Sequence, residues 1–126
     1  MYGWSKLLGE QEAQEACPAA LIVRTSWVYG VHGKNFVKII LQLAANQPEI
    51  RVVNDQHGSP TYARHLAGVI RELVRRDVRG VVHVGGEGSC SWYDFAVAIL
   101  QEAGSHSARC RFLPRYPGGL LNGQRI

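Results

Sequence analysis

Apolar residues recur along this chain at two spacings, and the spacings alternate. Tyr2 to Ala16 is built from strong helix formers (Lys6, Leu7, Leu8, Glu10, Gln11, Glu12, Ala13), and Pro18 stops the run. Ala20 to Thr25, ALIVRT, is short, apolar and partly β-branched, the pattern of a strand covered on both faces. A glycine-punctuated loop, SWVYGVHGKN, follows. Phe36 to Ala45 predicts a buried helix from Phe36, Val37, Ile39, Ile40, Leu43 and Ala44, and Ile50 to Val53 a second strand. NDQHGSPT is polar and turn-like. From Tyr62 onward, Ala63, Leu66, Ala67, Ile70, Leu73 and Val74 share one helical face. Val81 to Val84 predicts a third strand. Ser91, followed three places on by Asp94, predicts a capping box ahead of a helix carrying Trp92, Phe95, Ala96, Ile99, Leu100 and Ala103 on one stripe. Arg109 to Leu113 predicts a last strand.

Helix and strand therefore alternate, which implies an α/β layer architecture with parallel strands. The order begins on a helix, without the strand that a complete sheet supplies before it. No repeat or low-complexity tract interrupts it.

Length and composition narrow the picture. At 126 residues the chain is one domain at most, a single incomplete α/β domain over 1–126. A hydrophobic content of 46% places it among globular chains. No apolar run reaches the length of a membrane span, so no membrane association is expected. Met1 is followed by Tyr-Gly-Trp rather than by a basic and then an apolar segment, so no signal peptide is visible. Cys17, Cys90 and Cys110 are odd in number and far apart, as expected of free thiols in a reducing cytoplasm. His32, His57, His65, His83 and His106 show no metal-ligand spacing. The net charge is +4, and the arginines are concentrated in two places, Arg71 to Arg79 and Arg109 to Arg115. No helix-turn-helix, finger or basic–aromatic interleaving accompanies it, so it reads as solvated surface and no nucleic-acid partner is expected.

Two motifs carry candidate chemistry. VHVGGEGSCSW sets Gly86, Gly88 and Ser91 in a G-x-G-x-x-S array between strand and helix, the outline of a dinucleotide fingerprint. The third glycine is replaced, and no acidic residue lies about twenty positions on to meet a ribose. A glycine-rich turn feeding a capped helix is the better reading. YGWSK places Tyr2 and Lys6 four apart, on one helical face. An ammonium near a phenol favours the phenolate, and a tyrosine so placed can exchange a proton with an alcohol or carbonyl oxygen. The spacing alone decides nothing, because a tyrosine packed near a surface lysine has the same signature.

YGWSKLLGE, LIVRTSWVYG, GKNFV, VVNDQHGSPTYARHLA and CSWYDFA, in this order, resemble the dTDP-4-dehydrorhamnose reductase family, a branch of the extended short-chain dehydrogenase/reductases. The resemblance runs from Tyr2 to about Leu113. It implies the C-terminal part of an NAD(P)-binding Rossmann-type fold with its small substrate domain. It also implies reduction of dTDP-4-dehydro-β-L-rhamnose to dTDP-β-L-rhamnose with NADPH or NADH; some members use magnesium. By this resemblance Tyr2 is the catalytic acid at the substrate C4 oxygen, and Lys6 holds the nicotinamide ribose beside it. Trp27 is the residue lying against the sugar nucleotide, an aromatic plate for a pyranose face. Ordinary core packing is the competing reading of Trp27. Asn35, Gln56 and Thr61 fall in matching loop segments and are pocket-lining candidates, although turn chemistry explains them equally well. Trp92 is expected in the core.

The first half of the family fold, with its glycine-rich loop and the serine or threonine that completes the catalytic set, has no counterpart in these residues. The chain alone is therefore expected to be inactive, with an exposed sheet edge that favours self-association or a homodimer. Two other readings stay open: a non-catalytic binding module similar to the regulatory subunit of methionine adenosyltransferase, and a sugar-nucleotide epimerase or dehydratase of the same superfamily.

Overall fold

The computed structural model describes residues 2–105 and 109–113. In chain order these form α1 (Tyr2–Ala16), β1 (Leu21–Arg24), β2 (Val28–Tyr29), α2 (Phe36–Asn46), β3 (Glu49–Val53), β4 (His57–Gly58) and β5 (Thr61–Tyr62). There follow α3 (Ala63–Arg75), β6 (Gly80–His83), β7 (Cys90–Ser91), α4 (Trp92–Glu102) and β8 (Arg109–Leu113). The fold is α/β, and the long elements fall where the periodicity predicts them.

Among the described residues the strands do not join in one sheet. β1 pairs in parallel with β6, Leu21 opposite Gly80 through Arg24 opposite His83. β3 pairs in parallel with β8, Glu49 opposite Arg109 through Val53 opposite Leu113. Two short pairs lie in the loops: parallel β2–β5 and antiparallel β4–β7. The reading of ALIVRT as a strand covered on both faces does not hold here. With β6 as its sole ladder partner among the described residues, β1 keeps Leu21, Ile22 and Val23 only part-buried.

The fully buried core belongs to α2, β3 and α4. It comprises Ile40, Ile50, Val52, Ala96, Ile99 and Leu100, with Phe36, Val37, Leu43, Trp92 and Phe95 packed against it. α2 is less buried than its apolar content suggests, since only Ile40 is fully enclosed. α1 and α3 contribute no fully buried residue.

Caps fix the helices that hold this core. Asn35 caps α2: its side-chain oxygen accepts from Lys38 N (3.2 Å), and its amide donates to the Gly30 carbonyl (2.7 Å). At α4 the expected capping box is present. Asp94 N donates to Ser91 Oγ (3.1 Å), and Ser91 N donates to the Asp94 carboxylate (3.2 Å). α1 is tethered differently. Arg24 of β1 donates from Nε to both Glu10 oxygens (2.9 and 3.2 Å), and these bonds hold the Glu10 carboxyl below its ordinary range.

Candidate functional site

The polar segment NDQHGSPT is a brace between two loops. On one side Thr61 N donates to the Trp27 carbonyl (3.1 Å), and Val28 and Tyr29 pair with Thr61 and Tyr62. On the other side His57 and Gly58 pair with Ser91 and Cys90, and Trp92 N donates to the Gln56 carbonyl (3.3 Å). The brace also holds the glycine turn. The Ser59 hydroxyl donates to the Gly88 carbonyl (2.6 Å), and Gly86 N donates to Thr61 Oγ1 (3.3 Å).

This geometry disposes of the G-x-G-x-x-S array. A Cβ at Gly86 would stand 2.0 Å from the Pro60 carbonyl oxygen, so the glycine is required by backbone packing against the brace. Ser91 is the N-cap of α4.

The brace gathers the aromatics. Trp27 stacks on Trp92 with ring centroids 3.5 Å apart and planes 15° apart. Phe36 lies 4.5 Å from Trp92, and Phe95 is 5.5 Å from both Phe36 and Tyr29. Tyr29 is 5.6 Å from Tyr62. The Tyr29–Tyr62 pair contributes to two clefts. One, about 350 Å³, lies between Pro60–Thr61 and Val84–Glu87, with His65 and Leu66 on its wall. The other, about 580 Å³, is bordered by Val28–His32, Lys34, Asn35 and Arg64. His32, Lys34 and Arg64 give this second cleft a basic rim. Tyr29, Tyr62 and these basic residues were not singled out by motif reading. The one available signal was their position, directly after a strand and directly after the brace.

Tyr2 and Lys6 lie together on the first turns of α1, with Lys6 Nζ 5.5 Å from the Tyr2 ring centre. Both are exposed. They do not border either cleft, and neither does Trp27. Asn35 borders the larger cleft and Thr61 the smaller, but their polar atoms are engaged in the α2 cap and the brace. Gln56 is exposed and serves α4 through its carbonyl. Trp92 is part-buried at the edge of the core, with one face on Trp27.

The thiols are unpaired. Burial pushes the Cys90 thiol above its ordinary pKa, with the Asp94 charge adding to it, and burial alone does the same for Cys110. Neither is primed as a nucleophile. Among the described residues no three His, Cys, Asp or Glu side chains are grouped to hold a metal ion. No described helix is long and apolar enough to cross a membrane. Part of the arginine charge is locally paired, Arg76 with Glu72 (2.7 Å) and Arg79 with Asp77 (2.8 Å).

The sequence pattern described as the RmlD substrate binding domain matches residues 1–115. The spore coat polysaccharide biosynthesis protein SpsK of Bacillus subtilis is 47% identical over 108 residues, 86% of this chain and 38% of that protein. The dTDP-4-dehydrorhamnose reductase of Escherichia coli K12 is 44% identical, over 82% of this chain and 36% of its own length. A crystal structure of dTDP-4-dehydrorhamnose reductase from Bacillus anthracis, in complex with NADP, superimposes with a TM-score of 0.85 at 43% identity. That likeness covers 89% of this chain and 40% of the reductase chain. The chain thus spans less than two fifths of the curated relatives named here.

Proposed function

The chain belongs to the RmlD substrate binding domain family, and from that premise we propose that it serves a dTDP-4-dehydrorhamnose reductase. In this reading it supplies the proton-transfer pair and part of the sugar-nucleotide site. The observation that carries the reading is the family match over residues 1–115 combined with Tyr2 and Lys6 side by side and exposed on α1. The reductase names borne by the relatives favour it over a binding module or an epimerase.

A bound nicotinamide dinucleotide supplies the hydride. Tyr2 gives its phenolic proton to the substrate C4 oxygen, and Lys6 holds the ribose beside it. Residues of this chain fit one end of that cofactor only. Tyr2 and Lys6 suit the nicotinamide ribose, whereas the Gly86 turn is filled by the Pro60 carbonyl and does not suit a pyrophosphate. NADP in the Bacillus anthracis structure supports the phosphorylated cofactor. By the family resemblance Trp27 is assigned to the sugar-nucleotide side of the site, although it borders neither of the two clefts that Tyr29 and Tyr62 line. The three unpaired thiols support a cytoplasmic setting.

The test is Tyr2→Phe, made in this chain after it is combined with the part of the Bacillus anthracis reductase that it does not cover. General acid catalysis is worth about 10²- to 10⁴-fold. Reduction of dTDP-4-dehydrorhamnose should fall by that order while NADPH affinity holds. Undiminished turnover would remove Tyr2 from the role.

A further inference from the structure

We propose that Arg24 is a positioning residue for the Tyr2–Lys6 pair: by taking both oxygens of Glu10 it keeps that carboxylate off Lys6 and leaves the ammonium turned toward Tyr2. The proposal rests on the reading of Tyr2 and Lys6 as the proton-transfer pair and says what holds them in that state.

Tyr2, Lys6 and Glu10 are successive fourth residues of α1. Each lies about 40° round the helix from the one before, so the three form one stripe. Lys6 sits in the middle, with a possible partner four residues away on either side. Its Nζ is 5.5 Å from the Tyr2 ring centre. Glu10 is engaged by another element. Arg24 of β1 donates from Nε to both carboxylate oxygens (2.9 and 3.2 Å), and its Nη2 donates to Oε2 as well.

Two features make Arg24 the stronger claimant. A guanidinium is a planar fork that meets both oxygens at once, whereas an ammonium is a point charge. A lysine four residues before a glutamate is also the weaker order of such a helical pair. Arg24 is fixed at its root: it ends β1 opposite His83 of β6, and its carbonyl accepts from Val84 N (2.8 Å). The Arg24 hydrogen bond, and after it the charges of Arg24 and His83, hold the Glu10 carboxyl below its ordinary range. Glu10 is therefore a full anion at neutral pH, and without Arg24 its nearest cation along the stripe is Lys6. An ammonium neutralised in this way would do less to favour the Tyr2 phenolate and would be drawn away from a ribose hydroxyl. α1 contributes no fully buried residue, so the same bond to β1 also sets the direction in which the stripe faces.

The test is NMR of the isotope-labelled intact chain, reading Glu10 Cδ and Lys6 Nζ together as pH is lowered from neutral until Glu10 has protonated. In the wild type Lys6 Nζ should stay level while Glu10 titrates. In Arg24→Gln it should titrate with Glu10 at the same midpoint, because the released carboxylate has moved onto it. A wild-type Lys6 signal that tracks Glu10 would mean that the two are already paired. A level Lys6 signal in folded Arg24→Gln would make Arg24 a tether alone. Either result overturns the proposal. Should Arg24→Gln fail to fold, Arg24→Met, which keeps the packed stem, takes its place with the same expectation. In the chain combined with the complementary part of the Bacillus anthracis reductase, Arg24→Gln should lower turnover several-fold, and adding Glu10→Gln should recover most of it. Both variants lack the bond between α1 and β1, so recovery isolates the pull of the carboxylate on Lys6; a double variant as slow as the single overturns the proposal. Undiminished turnover in Tyr2→Phe would remove the reading of the site without changing the titration, so the two failures are told apart.

Discussion

Gly86 stands where any side chain would drive a Cβ to 2.0 Å from the Pro60 carbonyl oxygen. Nothing flexible can yield there, since the neighbour is backbone. Gly86→Ala should therefore cost at least the 1–3 kcal/mol or so typical of overpacking. Gly88→Ala, open on the Cβ side but at φ +77°, should lose stability through backbone strain alone. Urea unfolding of the two variants tests this: an unchanged midpoint for Gly86→Ala would refute the close approach. The sequence marks these glycines but does not say why they are glycines. VHVGGEGSCSW fits a nucleotide loop and a backbone contact equally well until Pro60, more than twenty residues earlier, is brought alongside. Trp27 is illegible for the same reason. Its neighbours Gly58 and Trp92 are distant in sequence, and no local period reports a stack between loops.

Elements were more legible than residues, because their signals are local. Ser91 and Asp94 give the start of α4 outright, through the capping spacing and the apolar stripe that follows. Ser91→Ala should cost about 0.5–2 kcal/mol, as lost N-caps do. The Asp94 carboxyl is held below its ordinary range, first by the Ser91 hydroxyl and then by the Ser91 backbone N–H. Glu10 is lowered in the same way by Arg24. A depressed carboxylate stabilises the fold above its unfolded pKa, near 4, and that contribution is lost as pH falls through the lower folded value. Stability should thus be level from neutral pH down to about 5 and then decline toward pH 3. The decline should be smaller in Asp94→Asn, which has no carboxyl to protonate. An equal acid loss in that variant would exclude Asp94 as a source. The two-residue strands β2, β4, β5 and β7 escaped the sequence reading, since a pair of residues carries no period. They are nevertheless the parts that build the brace.

At the scale of the molecule the buried core lies on one side, with α2, β3 and α4. α1 and the β1–β6 pair carry apolar residues that the described structure leaves uncovered. Trp4 is 71% exposed and Leu8 49%, and the two lie one turn apart on a side of α1 away from Tyr2 and Lys6. An apolar helix side of this kind favours association. The isolated chain should sediment as a concentration-dependent mixture, and Trp4→Glu with Leu8→Glu should shift it toward monomer; a wild-type chain that is monomeric at all concentrations would contradict this. Helix–strand alternation was enough to read the α/β class. It could not reveal that the strands pair two by two, because pairing depends on neighbours rather than on pattern.

The division of labour proposed for this chain, with the proton-transfer pair present and the dinucleotide cradle elsewhere, is tested most directly by calorimetric titration with NADPH. The chain should be titrated alone and then combined with the complementary part of the Bacillus anthracis reductase. Alone, it should bind at millimolar affinity or weaker, since contact with Tyr2 and Lys6 cannot offset the entropy lost on association. Combined, it should bind at micromolar affinity and reduce dTDP-4-dehydrorhamnose. Micromolar binding by the chain alone would contradict this division and return the Gly86 turn to consideration as a nucleotide site.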